Sequence, residues 1–396
     1  MVKIPIIDLK AQYETIRDEL RQAIDEVLES QQFILGPAVE KFEREAASYL
    51  GCRDAIGVAS GSDALLLSLM ALDIGPGDAV VVPTFTFFST VSAVTRLGAT
   101  PVFVDIDPDS YLMSVKQLKA LLTDGCRAAA GGNIVERKSG SRIKAVIPVH
   151  LFGRMCPMTE IAPLAANHRL RIVEDVAQAF GARAALAAGD SKASGTIGVL
   201  GCFSFFPTKN LGGIGDGGLI ATNEPKLADT LRMFRAHGEI SKYKHEAVGL
   251  NSRLDAIQAA ALRVKLRHID EWCEKRIQRA GSYEKLFLAT SLIKKAAVRI
   301  PAVSSDKSHV FNYYMIRAQR RDELRNFLTG EGIQTEIYYP LPLHLQPCFT
   351  QLGYRKGDFT DAERAAEEVL ALPLYPELPA EHQETVVRTI ADFYRK

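Results

Sequence analysis

Gly201-Cys202-Phe203-Ser204-Phe205-Phe206-Pro207-Thr208-Lys209-Asn210-Leu211-Gly212-Gly213 sets one lysine between an aromatic, strand-like run and a stretch of glycines. Upstream, Ile172-Val173-Glu174-Asp175-Val176-Ala177-Gln178 is an apolar run that ends in acids. A lysine on a solvated surface needs neither neighbour. A lysine that must shed its proton and attack a carbonyl uses both: apolar walls disfavour the ammonium, and glycines let a flat ligand approach the backbone. Ligands of open α/β sheets sit at the carboxyl ends of the strands, where Asp175 falls. The two stretches predict an α/β fold with a ligand crevice along one edge of its sheet.

The flanking sequence agrees. Short apolar runs, Ala55-Ala59, Ala79-Val82, Pro101-Asp105, Ile143-Val149 and Arg171-Asp175, alternate with amphipathic stretches, Asp63-Leu72, Ser89-Leu97, Val115-Leu122 and Thr159-His168. Strands apolar on both faces and separated by helices predict a mainly parallel sheet covered on both sides. Before them, Ile16, Leu20, Ile24, Val27 and Leu28, and then Val39, Phe42, Ala46 and Leu50, recur at helical spacing. Residues 123–142 are polar, hold Gly125, Gly131, Gly132 and Gly140, and read as a surface insertion. Helices are expected over Pro225-His237 and, without a break, from Asp255 towards Leu288. The C-terminal part mixes strands (Val310-Ala318, Gln334-Tyr338) with helices (Asp322-Gly330, Asp361-Leu370, Glu381-Tyr394). The expected organisation is an N-terminal helical segment (1–50), a large α/β domain (51–285) and a smaller α+β domain (286–396).

With 396 residues, 47% hydrophobic and 24% charged, the chain has the composition of an ordinary globular protein. A formal net charge of +1 supplies no pull toward nucleic acid or an anionic membrane. Basic pairs such as Arg137-Lys138 and Arg320-Arg321 read as solvated faces. Cys52, Cys126, Cys156, Cys202, Cys273 and Cys348 form no CxxC pair, so reduced thiols are expected, with no zinc knuckle or other metal site. Neither a leader-like N-terminus nor a run of membrane-spanning length is present, and a cytoplasmic location is expected.

Lys209 and Asp175 together fit pyridoxal 5'-phosphate (PLP), which asks for a lysine, an anion at the pyridine nitrogen, a phosphate cup and a flat surface against the ring. Gln178 is placed to reach the ring's phenolic oxygen. Ser60-Gly61-Ser62-Asp63 follows a strand and opens a helix, which offers free N–H groups to a phosphate, although the same residues also fit an ordinary N-cap. Ser204 adds a hydroxyl. Within Pro83-Thr84-Phe85-Thr86-Phe87-Phe88-Ser89-Thr90, Phe87 is the expected stacking ring, with a place in the core as its other reading. Gly213-Ile214-Gly215-Asp216-Gly217-Gly218 matches GxGxxG. It precedes a strand-like Leu219-Ile220-Ala221-Thr222 instead of opening a helix, so no dinucleotide site is expected.

These residues, in this order, resemble the sugar aminotransferases of the DegT/DnrJ/EryC1/StrS family, in the aspartate-aminotransferase-like fold type I of PLP enzymes. The resemblance runs from Ile7-Asp8-Leu9 and Phe33-Ile34-Leu35-Gly36-Pro37 through Gly98-Ala99-Thr100-Pro101-Val102-Phe103-Val104-Asp105, Glu174-Asp175-Val176-Ala177-Gln178 and Lys209-Asn210-Leu211-Gly212. It continues through Asn251-Ser252-Arg253-Leu254-Asp255 and Tyr339-Pro340-Leu341-Pro342-Leu343-His344 to Leu372-Pro373-Leu374-Tyr375-Pro376. It implies Lys209 as the Schiff-base lysine, Asp175 at the pyridine nitrogen, Gln178 at the ring oxygen and Phe87 on the ring face. Gly61, Ser62, Asp63 (through its backbone) and Ser204 would hold the phosphate. It also implies a homodimer with shared active sites, in which Asn251 reaches the partner's cofactor phosphate.

The implied reaction moves an amino group from L-glutamate, through PLP and its amine form PMP, to a nucleotide-linked keto sugar. The expected position is C3 of a dTDP-3-keto-6-deoxyhexose, with C4 amination or a UDP-linked sugar as the alternative. Tyr313, Tyr339 and His344 are sugar-side candidates. A sugar 3-dehydratase of this fold carries histidine in place of the lysine, so Lys209 argues for transfer, and a purely regulatory relative has no need of both Lys209 and Asp175. The chain departs from the family at Val176 and Phe180, over Ala184-Ser194 and in the long 123–142 segment.

Overall fold

The protein is described by a computed structural model covering residues 3–187, 190–303 and 306–395. Two helices, α1 (Leu9–Ser30) and α2 (Pro37–Leu50), lead the chain. Asp8 caps α1 by accepting from the N–H groups of Lys10 and Ala11, and Pro37 opens α2, where its missing N–H costs nothing. The alternating region follows as β1 (Asp54–Val58), α3 (Gly61–Ala71), β2 (Asp78–Pro83), α4 (Ser89–Arg96), β3 (Thr100–Val104) and α5 (Val115–Thr123). It continues with β4 (Cys126–Ala128), β5 (Ile134–Glu136), β6 (Arg142–Val146), α6 (Met158–Asn167) and β7 (Arg171–Asp175). Next come β8 (Arg183–Ala187), β9 (Asp190–Ala193), β10 (Leu200–Ser204), β11 (Gly218–Thr222) and α7 (Pro225–Phe234). The remainder is β12 (Glu239–Ser241), β13 (Lys244–His245), α8 (Ala256–Leu266), α9 (Ile269–Leu288), β14 (Val298–Arg299), β15 (Tyr314–Ala318), α10 (Arg321–Gly330), α11 (Thr360–Glu368), β16 (Val369–Leu372) and α12 (Ala380–Phe393).

A nine-stranded sheet runs in the order β1-β11-β10-β7-β6-β2-β3, with β4 and β5 beside β6. Pairs from β10 through β7, β6 and β2 to β3 are parallel, β11 is reversed between β10 and β1, and β5 is antiparallel to β4 and β6. Val80, Val81, Val82, Val173 and Phe203 are fully buried, as strands covered on both faces require. Because β11 is antiparallel to both neighbours, β1 runs with β10 and β7. The carboxyl ends of β1, β7 and β10 therefore lie on one edge, where the site is built.

A separate three-stranded sheet, β14-β15-β16, packs with α10 and α12 around Tyr283, Tyr314, Ile316, Leu370 and Ile390. Arg276 of α9, 2% exposed, donates to the carbonyls of Phe311, Asn312 and Leu374 and ties the long helix to that sheet.

Several expectations are corrected. The surface insertion expected over 123–142 carries structure of its own: β4 and β5 form a hairpin, and β5 joins β6, because Cys126 and Ile134 bury their side chains and the Glu136 carboxylate accepts from Lys138 and Ser139. The helix from Asp255 breaks at Arg267-His268, since α8 packs on α1 and α2 while α9 packs on α12. Val369 and Leu370 belong to β16, where ladder pairing with β15 overrides the helical spacing. Residues 334–338 make only an isolated bridge, Glu336 to Ala371, and β15 begins at Tyr314, not Val310. Arg321 is buried and donates to the carbonyls of Ala366 and Val369, so it is no solvated face. Over Ala184-Ser194 the chain forms the β8-β9 hairpin, with Ala188 and Gly189 outside the described residues. Phe180 is buried, stacked on Tyr49 and edge-on to Phe203.

Candidate active site

Gly218 pairs with both Val58 and Ser204, at the meeting of three strand ends. A Cβ there would stand 2.4 Å from the Ser60 carbonyl oxygen, and one on Gly61 would stand 2.6 Å from the Ser204 Cβ. Glycine at both positions lets the N-terminus of α3 close onto β10. Ser60 is the N-cap, its hydroxyl accepting from the Asp63 N–H at 3.1 Å, so the ordinary-cap reading holds for Ser60 and already engages the Asp63 N–H. The Asp63 carboxylate accepts from Ser252 at 2.7 Å. Ser62 Oγ lies 2.6 Å from Ser89 Oγ, the first residue of α4. Two helix N-termini thus converge on one hydroxyl pair, a setting that favours an anion.

Asp175 ends β7 and is 5% exposed. Thr90 donates to its Oδ2 at 2.8 Å and the Ala177 N–H to its Oδ1 at 3.2 Å. Thr90 itself lies 3.1 Å from the Thr86 hydroxyl. Burial pushes the carboxyl pKa up, against these donors and the charge of Lys209. Lys209 is half-buried in the turn after β10, its N–H bonded to the Phe206 carbonyl. Ser204, half-buried, accepts from the Phe206 N–H at 3.3 Å.

Gln178 is held at both ends of its amide. Oε1 accepts from the Phe152 N–H at 2.6 Å, and Nε2 donates to the Tyr339 hydroxyl at 3.0 Å. Phe87 is 57% exposed and therefore not core, with its ring centroid 6.1 Å from that of Tyr339. Tyr313 packs against Tyr338 in a tilted arrangement, ring centroids 4.3 Å apart, and meets Phe152 edge-on. His344 is 2% exposed, with Nδ1 at 2.7 Å from Thr84 Oγ1 and Nε2 at 3.1 Å from Glu363. Both ring nitrogens are engaged by protein, so His344 braces the loop that carries Phe87. Asn251 is exposed and bridges Ala236.

The structure thus gathers Asp175, Lys209, Gln178 and Phe87 at one edge with the α3 N-terminus. Sequence reasoning missed Thr90, Ser89 and Ser252. Thr90 stood in a quoted stretch whose phenylalanines took the attention. The donor set fits PLP: a buried carboxylate at a strand end for the pyridinium, convergent helix starts for the phosphate and a half-buried lysine beside the acid.

Sheet, lysine turn and acid define a PLP-dependent transferase of fold type I. The model of the DegT/DnrJ/EryC1/StrS aminotransferase family matches residues 14–391, and the chain belongs to this family. It is 45% identical to a pleiotropic regulatory protein of Geobacillus stearothermophilus, over 100% of this chain and 99% of that one. It is 40% identical to a UDP-N-acetyl-3-dehydro-alpha-D-glucosamine 3-aminotransferase of Acidithiobacillus ferrooxidans, over 98% and 97% of the two chains. It is also 40% identical to a dTDP-3-amino-3,4,6-trideoxy-alpha-D-glucose transaminase of Streptomyces venezuelae, over 99% and 96%. Among solved structures it superposes on NtdA of Bacillus subtilis with bound cofactor PMP at a TM-score of 0.87 and 28% identity, covering 100% of this chain and 86% of that one. The protein is a PLP-dependent sugar aminotransferase. Among the described residues no helix is long and apolar enough to cross a membrane.

Proposed function

We propose that Lys209 is the cofactor lysine and that the enzyme transfers the amino group of L-glutamate to C3 of a dTDP-linked 3-keto-6-deoxyhexose. The observation that carries the site is the Asp175 carboxylate, buried at the end of β7 and within the field of the Lys209 charge. When bound, PLP supplies an electron sink for the Cα–H bond that breaks. Asp175 would hold the proton on the pyridine nitrogen, and Gln178 would donate to the ring's phenolic oxygen. Gly61, Ser62 and Ser204 would bind the phosphate at the first turn of α3, where the Asp63 N–H is held by Ser60, while Phe87 would cover the ring and exclude water.

Lys209 Nζ is the base that takes the Cα proton of glutamate and returns it on the other side of the transfer. 2-Oxoglutarate leaves in the first half-reaction. The keto sugar then receives the amine in the second, with the same proton movement reversed at the sugar carbon. Tyr313 and Tyr339, from the C-terminal part of the chain, face the sugar. A homodimer completes the site, with Asn251 reaching the partner's cofactor phosphate; its exposure in the single chain is in keeping with that role.

A UDP-linked sugar is the second reading, favoured by the UDP sugar in the name of the Acidithiobacillus ferrooxidans relative, and amination at C4 is the remaining alternative. Purified protein is expected to be yellow, with borohydride fixing the cofactor to Lys209. Incubation with glutamate and a panel of dTDP-, UDP- and GDP-keto sugars, followed by NMR of the product, locates the new amine. Turnover of UDP sugars alone, or an amine at C4, overturns the substrate assignment. A colourless protein that PLP does not restore overturns the site.

A further inference from the structure

Gln258 and Lys265 stand seven residues apart on α8, two helical turns, and so share one face. That face meets the turn that leaves Lys209. Lys265, 7% exposed, donates from Nζ to the Gly212 carbonyl at 2.8 Å. Gln258 Oε1 accepts from the Ile214 N–H at 2.8 Å. Glycines permit the approach: a Cβ on Gly213 would stand 2.7 Å from Gln258 Oε1, and one on Gly215 would stand 2.6 Å from Gln258 Nε2. On the other side, the Gly213 N–H binds the Phe205 carbonyl at 2.7 Å, and a Cβ on Gly212 would stand 2.3 Å from the Pro207 carbonyl oxygen. The segment between Lys209 and Gly215 is gripped between the end of β10 and α8.

Lys265 is an unusual residue for this task. No carboxylate pairs with its ammonium among the described residues, and the Gly212 carbonyl is its hydrogen-bond partner. Burying an ammonium without a counter-charge is unfavourable, and an apolar residue of similar length would fill the space without that penalty. What the charge adds is a strong, directional bond to one carbonyl of the turn. Burial draws the pKa of Lys265 down to about 8, as expected for a cation that gains little beyond that bond.

We propose that Lys265 is a positioning residue: through Gly212, and together with Gln258, it fixes the turn so that the Lys209 amine is presented to the cofactor aldehyde. This rests on the reading of Lys209 as the cofactor lysine. The test compares wild type, Lys265→Met and Gln258→Leu as purified full-length proteins stripped of cofactor. Stopped-flow absorbance follows the yellow Lys209 linkage after PLP is added, and steady-state kinetics follow transfer. Lys265→Met is expected to form the linkage about tenfold more slowly and to lose about tenfold in kcat, with the sugar KM nearly unchanged. Gln258→Leu is expected to show a smaller loss of the same kind, and it carries the test if Lys265→Met does not fold.

Linkage rate and kcat at wild-type values in the folded variants overturn the proposal, even with a lowered melting temperature, because Lys265 then serves stability alone. A wild-type protein that forms no yellow linkage, or a Lys209→Ala variant that still forms one, overturns the cofactor reading beneath it. That failure is recognised without reference to Lys265.

Discussion

The Thr90 hydroxyl donates to Asp175 Oδ2 at 2.8 Å, from the first turn of α4 to the end of β7. Asp175 is buried, and burial alone favours its neutral form, which cannot pair with a pyridinium. Thr90 is one of two donors that oppose this upward shift and favour the carboxylate, the other being the Ala177 N–H. Thr90→Val keeps the shape and removes the donor. A hydrogen bond to a charged group contributes roughly 1.5–3 kcal/mol, so PLP affinity is expected to fall on the order of ten- to a hundredfold. Equilibrium dialysis with PLP measures it. Thr86→Val, one hydroxyl further out, is expected to act in the same direction and more weakly.

Glu174, the neighbour of Asp175, is fully buried and accepts four donors. They are the N–H groups of Gly195, Ile197 and Gly198 at 2.9, 2.7 and 2.6 Å, and His150 Nε2 at 2.8 Å. The Cys156 N–H donates to His150 Nδ1, which places the ring proton on Nε2, facing the carboxylate. Glu174→Ala leaves these donors without an acceptor and is expected to cost about 3–5 kcal/mol. Urea unfolding at neutral pH reads it. Glu174→Gln is expected to lose less, since one of its two terminal atoms still accepts.

How far the site could be read from sequence depended on the kind of signal each residue gave. The sheet was legible because Val80-Val81-Val82 and Ile172-Val173 are apolar without alternation and lie between amphipathic stretches, a pattern that burial on both faces imposes. Lys209 and Asp175 stood out because their local sequence is odd for a surface charge. Thr90 and Glu174 did not: a threonine in a helix start and an acid in a strand become informative only once the partner, Asp175 or the 195–198 loop, is brought in by the fold. His344 shows the reverse. It stood in the resembling 339–344 stretch as a sugar-side candidate, and in the structure its ring bonds Thr84 and Glu363. The break at Arg267-His268 and the strand at Val369 were set by what packs where, which local spacing does not encode.

Two glycines separate close packing from idle flexibility. At Gly218 an added methyl would stand 2.4 Å from the Ser60 carbonyl oxygen and 2.9 Å from the Gly61 nitrogen, both backbone atoms. Gly218→Ala is expected to cost about 1–3 kcal/mol and to weaken phosphate binding, because the start of α3 must retreat from β11. Gly281 lies inside α9 with nothing within 4 Å of an added Cβ. Gly281→Ala is expected to stabilise the protein by about 0.5–1 kcal/mol. Paired urea melts give both signs, and a stable Gly218→Ala protein with wild-type PLP affinity contradicts the packing argument.

Lys265 predicts a pH dependence of stability. Burial lowers its pKa from 10.5 to about 8 in the folded chain. Between these values the unfolded chain holds a proton that the folded chain has released, so the contribution of this group to stability rises with pH across that window. Below the lower value both states are charged, and the full penalty of the buried ammonium, about 3 kcal/mol, stands. Lys265→Met lacks the titrating group. The difference in unfolding free energy, wild type minus variant, is therefore expected to move in favour of wild type by up to about 3 kcal/mol from pH 8 to pH 10.5, with other titrations cancelling. Urea midpoints of both proteins across that range measure it. A difference that stays flat means that the ammonium is solvated in the folded protein, and the grip on Gly212 is then not the one described.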